Sequence, residues 1–338
     1  MRRALSLLAV LTTALVAVVH VPTAAASTSV GFEPRSVLGP GVPRDGSSDQ
    51  NVVELGQVSL RMSSTQTAYI VSVMRVNSAT IRTLFDNEVV CRWAGGSKNM
   101  VMGQNVYKKG GTQPEWEDVT LTTRFLVHPG VAADVTCTAY LRTASLGYEN
   151  STVYLAGGSM RFANTSVEND TRGEALQKST SQGVIHLNTS NPDAREPLLP
   201  MFDLAPGVKG LSVFGDNEYM VCHPNSSCDK AKSSRARFTL LVNQWKADGS
   251  VCHQDSSASA TVDVPYYVHH IVVPLHKPNF EVRTGDGCIP RVNAYVLVQW
   301  LGGETGGIQG TALNLTDSRG STSTHDSDMS HIFAVPYR

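Results

Sequence analysis

The residues with chemistry to offer in this chain are six cysteines, ten histidines and a few close-set carboxylates, and their spacing limits what they can do. The cysteines are Cys91, Cys137, Cys222, Cys228, Cys252 and Cys288. An even set behind a secretory leader reads as disulfides, which leaves no thiol to act as a nucleophile. A serine hydrolase of the nucleophile-elbow type needs Gly-x-Ser-x-Gly between a strand and a helix, and a zincin needs His-Glu-x-x-His on a helix. The chain has neither. His325, Asp326 and Asp328, with His331 close behind, come nearest to a ligand set for a divalent cation. They stand in a stretch dense in Ser, Thr and Asp that reads as a solvated loop. His269 and His270 fall in a β-forming run, where neighbours face opposite sides, so they are not expected to share an ion. No catalytic residue, metal ligand set or cofactor is assigned.

Two further groups are candidates for contact rather than reaction. Trp93, Trp116, Trp245 and Trp300 are read as core or rim residues; the alternative is a platform on which indole faces stack against sugar rings. Lys230, Lys232, Arg235 and Arg237 form the one basic cluster. A solvated strand edge accounts for it, since charge discourages edge-to-edge pairing, and docking to an acidic partner or envelope polymer is the alternative. Six Asn-x-Ser/Thr sequons, at Asn150, Asn164, Asn169, Asn188, Asn225 and Asn314, are read as a product of Ser/Thr richness rather than as glycan sites.

The elements that must position these residues are strands. Arg2 and Arg3, the apolar run Ala4 to Val19 and the small residues Ala24-Ala25-Ala26 form a Sec-type leader, with cleavage expected after Ala26. That run falls short of the roughly 20 residues needed to span a bilayer, and no later run is more apolar, so a secreted, extracellular protein without a membrane span is expected. A formal net charge of −1 argues against nucleic acid, which is held by a basic face. From Val52 onward the apolar period is two: Val58, Leu60 and Met62 alternate with polar neighbours, as do Val119, Leu121, Phe125 and Val127.

An all-β chain follows, with two disulfide-bonded β-sandwich-like domains after a flexible N-terminal arm. The expected boundaries are 1–26 for the leader, 27–50 for the arm, 51–165 for the first domain, 166–207 for a linker or crossover and 208–338 for the second domain. Parity places Cys91 and Cys137 inward on strands, which pairs them across the two sheets of a sandwich. Cys252 and Cys288 repeat that plan, and Cys222 with Cys228 then closes a small loop. A competing repeat aligns Asp86-Asn87-Glu88 with Asp216-Asn217-Glu218; the cysteine register is preferred because it aligns two cysteines rather than one. The arm is rich in Gly and Pro, with Val30, Phe32, Val37, Leu38 and Val42 as apolar anchors for a partner.

With its Ala-Ala-Ala leader, its flexible Ser27 to Gln50 segment and a disulfide-bonded β body without catalytic motifs, the chain resembles the adapter subunit of the umbrella toxin particles secreted by filamentous actinobacteria. The resemblance implies a non-catalytic connector whose N-terminal arm enters a repeat-containing toxin subunit while its body holds a lectin subunit. The first expectation is thus a secreted protein–protein adapter. A carbohydrate- or envelope-binding module is the second, and a secreted hydrolase of unrecognised type the third.

Overall fold

The computed structural model describes residues 27–41, 51–77, 83–106, 118–145, 149–169, 173–180, 184–222, 228–229, 231–310, 315–316, 322–323 and 330–338. The leader, Val42, Trp116, Asn225, Asn314, Lys230, His325, Asp326 and Asp328 lie outside the described residues.

The first half contains β1 (Ser29–Phe32), β2 (Arg35–Gly39), β3 (Asn51–Met62), β4 (Gln66–Asn77), β5 (Thr83–Trp93), β6 (Gly96–Val106), β7 (Val119–Val127), β8 (Ala133–Ser145) and β9 (Ser151–Asn169). Sheet I runs from β1 and β2 through β9 and β4 to β7, and sheet II runs β3-β8-β5-β6. The second half opens with β10 (Gln177–Ser179), β11 (Val184–Leu187), β12 (Asp193–Asp203) and β13 (Gly210–Val221). It continues through β14 (Ser233–Lys246), β15 (Val251–Ser256), β16 (Ala260–Pro265), β17 (His270–Glu281), β18 (Cys288–Gly303) and β19 (Gly306–Gln309). The short pair β20 (Leu315–Thr316) and β21 (Thr322–Ser323) precedes β22 (His331–Tyr337). Sheet III runs β10-β22-β13-β19-β11, with β17 on the other side of β13; sheet IV runs β12-β18-β14, with β15 and β16 beyond β14.

The pairing order is the same in both halves. The opening strand lies beside the last (β1 and β2 on β9, β10 on β22), and β3 pairs with β8 as β12 does with β18. In turn β5 lies between β8 and β6 as β14 lies between β18 and β15, while β4 holds β7 and β9 as β13 holds β17 and β22. This nesting of outer strands around inner ones is the double Greek key of a jelly roll, built twice.

Alternation drives each layer. In β14 every second residue from Ser234 to Val242 is buried, so Ala236, Phe238, Leu240 and Val242 face the core while Arg235, Arg237, Thr239 and Leu241 do not. The first core contains Ile70, Met74, Phe85, Leu121, Phe125 and Met160; the second contains Leu211, Tyr219, Phe238, Phe280, Val296 and Phe333. Each such side chain contributes roughly 1.5–3 kcal/mol on burial.

Several expectations change. Residues 29–39 are not a free arm: they form β1 and β2, with Phe32 and Val37 buried in the first core and Val30 packed against it. The segment 166–207 is no linker, since it supplies β10, β11 and β12, the opening strands of the second jelly roll. The disulfides Cys91–Cys137, Cys222–Cys228 and Cys252–Cys288 are present, but Cys91 and Cys137 are direct neighbours on β5 and β8. That bridge therefore staples one sheet instead of crossing between two. Cys252–Cys288 also stays within one sheet, but it reaches from β15 past β14 to β18; β15 corresponds to β6 and not to β5, so the expected cysteine repeat does not hold. The two Asp-Asn-Glu triplets sit on β5 and β13, which hold different places in their jelly rolls, so they mark no repeat. Ala139-Tyr140 and Ala294-Tyr295 do sit on equivalent strands, β8 and β18.

Candidate functional site

The triplets have a different significance. In each, Asn points into its sandwich and the flanking acids point out, as strand alternation requires. Asn87 is anchored inside the first sandwich: Ser72 Oγ donates to its Oδ1 (2.9 Å), and its Nδ2 donates to the Ser72 carbonyl (3.0 Å). The outward acids face the junction of the two jelly rolls. Asp216 accepts Nε (2.8 Å) and Nη2 (2.6 Å) of Arg124 from β7, whose guanidinium lies 4.6 Å over the Phe214 ring. Tyr69 of β4 packs against Phe214 and Phe333, and His331 places Nε2 2.7 Å from the Arg124 carbonyl and 3.5 Å from the Asp216 carboxylate. The outer faces of sheets I and III are thereby locked together.

Beside this lock sits a second buried cluster. On the outer face of sheet II, Arg142 Nε donates to Glu88 (2.6 Å), and Asp86 lies opposite Arg142 on one side and Gly103 on the other. A Cβ on Gly103 would fall 2.3 Å from Asp86 Oδ1 and 3.8 Å from Glu218 Oε2, so the carboxyls of the two jelly rolls converge on this glycine. Only glycine leaves room for them. Burial, with a smaller push from Glu88 against the pull of Arg142, raises the Asp86 carboxyl to about 7. Its Oδ1 has no hydrogen-bond partner among the described residues. His270 Nε2 is 3.7 Å from Glu218 Oε1, and Asn105 Nδ2 donates to the Val268 carbonyl.

His269 precedes β17 in the left-handed region (φ 72°), which turns its ring back so that the two Nδ1 atoms of His269 and His270 are 3.3 Å apart. The opposite-face expectation for this pair fails because His269 is a turn residue. A carboxyl raised to about 7 near a second carboxyl and an imidazole is proton-transfer equipment. Here, however, Asp86 is 3% exposed and Glu218 1%, and both are shut off from solvent. The one group of three potential metal ligands among the described residues is Cys222, Cys228 and Glu304, and its two sulfurs are joined to each other.

The outer face of sheet IV is the open counterpart. Registered rows cross it: Leu198, Tyr295, Leu241 and Ser256; then Arg195, Leu297 and Thr239; then Asp193, Gln299, Arg237 and Thr261. At one end Asn293 Oδ1 accepts both Asn243 Nδ2 (3.2 Å) and Trp245 Nε1 (3.0 Å), while Gln254 Nε2 donates to Asn243 Oδ1 (2.6 Å). Arg195 lies 5.2 Å over the Tyr295 ring, and Arg237 forks onto Gln299 Oε1 (2.6 and 3.1 Å). Arg235 and Arg237 stand on β14, an interior strand paired on both sides, so protection of a sheet edge does not explain this basic run. Trp93 and Trp300 pack against the first and second cores, away from Trp245, so the three described tryptophans make no common platform. Leu38, expected as a partner anchor, is 51% exposed beside the exposed Tyr154 on the outer face of β2 and β9.

No model of a known family matches the chain, and no curated protein does. Among solved structures, it is similar to broad bean stain virus (TM-score 0.24, 8% identity, 96% of this chain and 95% of that one). It is also similar to PNGF-II (TM-score 0.28, 9% identity, 83% and 66%) and to a β-glucuronidase of Bacteroides uniformis (TM-score 0.17, 10% identity, 77% and 26%). Likenesses this slight carry no argument.

Proposed function

We propose that this chain is a secreted, non-catalytic adapter, a rigid pair of jelly rolls that presents one open surface on each half. The observation that carries this is the placement of the exposed apolar and polar-aromatic residues. Leu38 and Tyr154 form a patch on the first jelly roll, and the second leaves the outer face of sheet IV open, with Leu198, Met201 and Leu301 exposed on its strands. Meanwhile the best-equipped acids and imidazoles are committed to the junction. Three disulfides fit an oxidising compartment, and no helix among the described residues is long and apolar enough to cross a membrane.

The Leu38–Tyr154 patch suits a protein partner, because two neighbouring apolar side chains bordering an edge strand offer both burial and register. By resemblance, the partners joined would be a repeat-containing toxin subunit and a lectin subunit. The contact belongs to a folded strand pair and not to an inserted arm. The test is capture from the host's culture medium by the wild-type chain and by a Leu38→Lys, Tyr154→Ser variant of unchanged circular dichroism. Partners held by the first and released by the second are expected; an identical set on both would sink the reading.

A further inference from the structure

We propose that the open face of sheet IV binds an acidic polysaccharide, so that one arm of the adapter grips a uronate-bearing polymer. The inference deepens the adapter reading by naming the ligand class of its second surface, and it rests on three features of that face.

The first is charge without a partner. Arg195 and Arg237 are exposed on this face, and neither pairs with a carboxylate among the described residues; one lies over Tyr295 and the other on the amide of Gln299. A guanidinium held in place by neutral groups keeps its charge and part of its donor fork available to a carboxylate. By contrast, Arg291, nearer the sheet's end, is already spent on Asp203 at 2.8 Å.

The second feature is aromatic surface at the right place. Tyr295 lies on the central strand β18 between Leu198 and Leu241, and Trp245 lies toward the end of β14. Both rings are half-buried. Such rings offer an apolar face to the C–H side of a pyranose.

Third, the side-chain amides are held in order. Asn243, Asn293 and Gln254 come from three adjacent strands and fix one another through the bonds to Asn293 Oδ1 and Asn243 Oδ1. In that ladder Asn293 Nδ2 and Gln254 Oε1 remain as a preset donor and acceptor for hydroxyls. An acidic peptide would use the arginines but has little for the ladder and the rings to do, so a saccharide carrying carboxylates is the occupant that uses all three.

The experiment measures binding of the isolated full chain to polygalacturonate, to neutral dextran and to polyglutamate at low and physiological salt. Polygalacturonate is expected to bind best and to weaken as salt rises. Arg195→Met and Arg237→Gln should each weaken it about tenfold, the factor for loss of one charge-assisted contact. Arg61→Ala, which removes one exposed charge from the first jelly roll, should leave it unchanged. Tyr295→Ser should weaken polygalacturonate but not polyglutamate. Equal binding of the uronate polymer and dextran, or of the uronate polymer and polyglutamate with no effect of Tyr295→Ser, overturns the proposal. These measurements need no protein partner, so their failure is separable from failure of the Leu38–Tyr154 contact.

Discussion

Sheets II and IV are the same layer of two jelly rolls, yet one buries outward charges against a neighbour while the other leaves its arginines open to solvent. Tyr140 on β8 corresponds to Tyr295 on β18, and the registers then align the residues around them. Where Tyr140 faces Glu88, Tyr295 faces Leu241; where Arg142 faces Asp86, Leu297 faces Thr239. Two carboxylates and a guanidinium in the first half are thus replaced by apolar and hydroxyl side chains in the second. The same strand order serves burial against a neighbour in one case and presentation to solvent in the other. The backbone plan therefore leaves the use of the face to a few outward positions.

The largest expected effect lies on the sealed side. Arg142→Met should destabilise the chain by about 3–5 kcal/mol, because Glu88 keeps a buried charge without its guanidinium. Leu297→Ala, at the matching place in sheet IV, should cost only about 1 kcal/mol, in the range of ordinary substitutions. Urea unfolding of both variants checks the contrast, and equal losses would erase it.

The staples should behave alike in the two layers. Replacing both cysteines of Cys91–Cys137 or of Cys252–Cys288 by serine should each remove about 4 kcal/mol, since the bridges span 46 and 36 residues. Cys222–Cys228 spans only 6 and should be worth about 2 kcal/mol. Thermal unfolding under non-reducing conditions gives the order.

The titration of Asp86 sharpens the comparison further, because the open face has no such group. With its folded value raised to about 7 from 3.8, the folded chain binds a proton that the unfolded chain has released. Its contribution is most favourable below pH 4 and is lost as pH rises toward 7, on the order of 2–4 kcal/mol. Unfolding followed from pH 4 to 8 should show this fall for the wild type relative to Asp86→Asn; parallel curves would refute it. Smallest of all, Arg237→Gln should change stability by no more than about 0.5 kcal/mol, as expected for an exposed side chain whose role is contact. A melting curve close to that of the wild type is the expected result.

Much of this architecture was legible from parity alone. The inward set Val89, Cys91 and Trp93 against outward Arg92 marks a strand without any long-range information, and so does Val135, Cys137 and Ala139. Proline hid the rest. Pro34 interrupts an edge ribbon between β1 and β2, and Pro197 and Pro200 stand on the edge strand β12, where a missing N–H breaks no ladder bond. Read as breakers, they turned the opening strands β1 and β2 into an arm and β10, β11 and β12 into a linker. The acids at the junction were visible as a repeated triplet. Their partners were not: Arg124 reaches Asp216 only where the two jelly rolls meet, while Gly103 and His331 reach Asp86 and Asp216 through strand pairing within sheets II and III. On the open face, Arg235 and Arg237 were noticed as a basic run, but the neighbours that give Arg237 its setting come from β18, about sixty residues later.

Closure of each jelly roll has a consequence for how the chain acquires its shape. Val30 finds its partner only at Met160, and Lys178 only at Ile332. The earliest strand of either half must therefore wait, unpaired, until the latest has left whatever pore or ribosome delivers it. Until then the hairpin of β5 and β6 can form alone, leaving the seam between beginning and end as the slow step and the place where a second molecule could intrude.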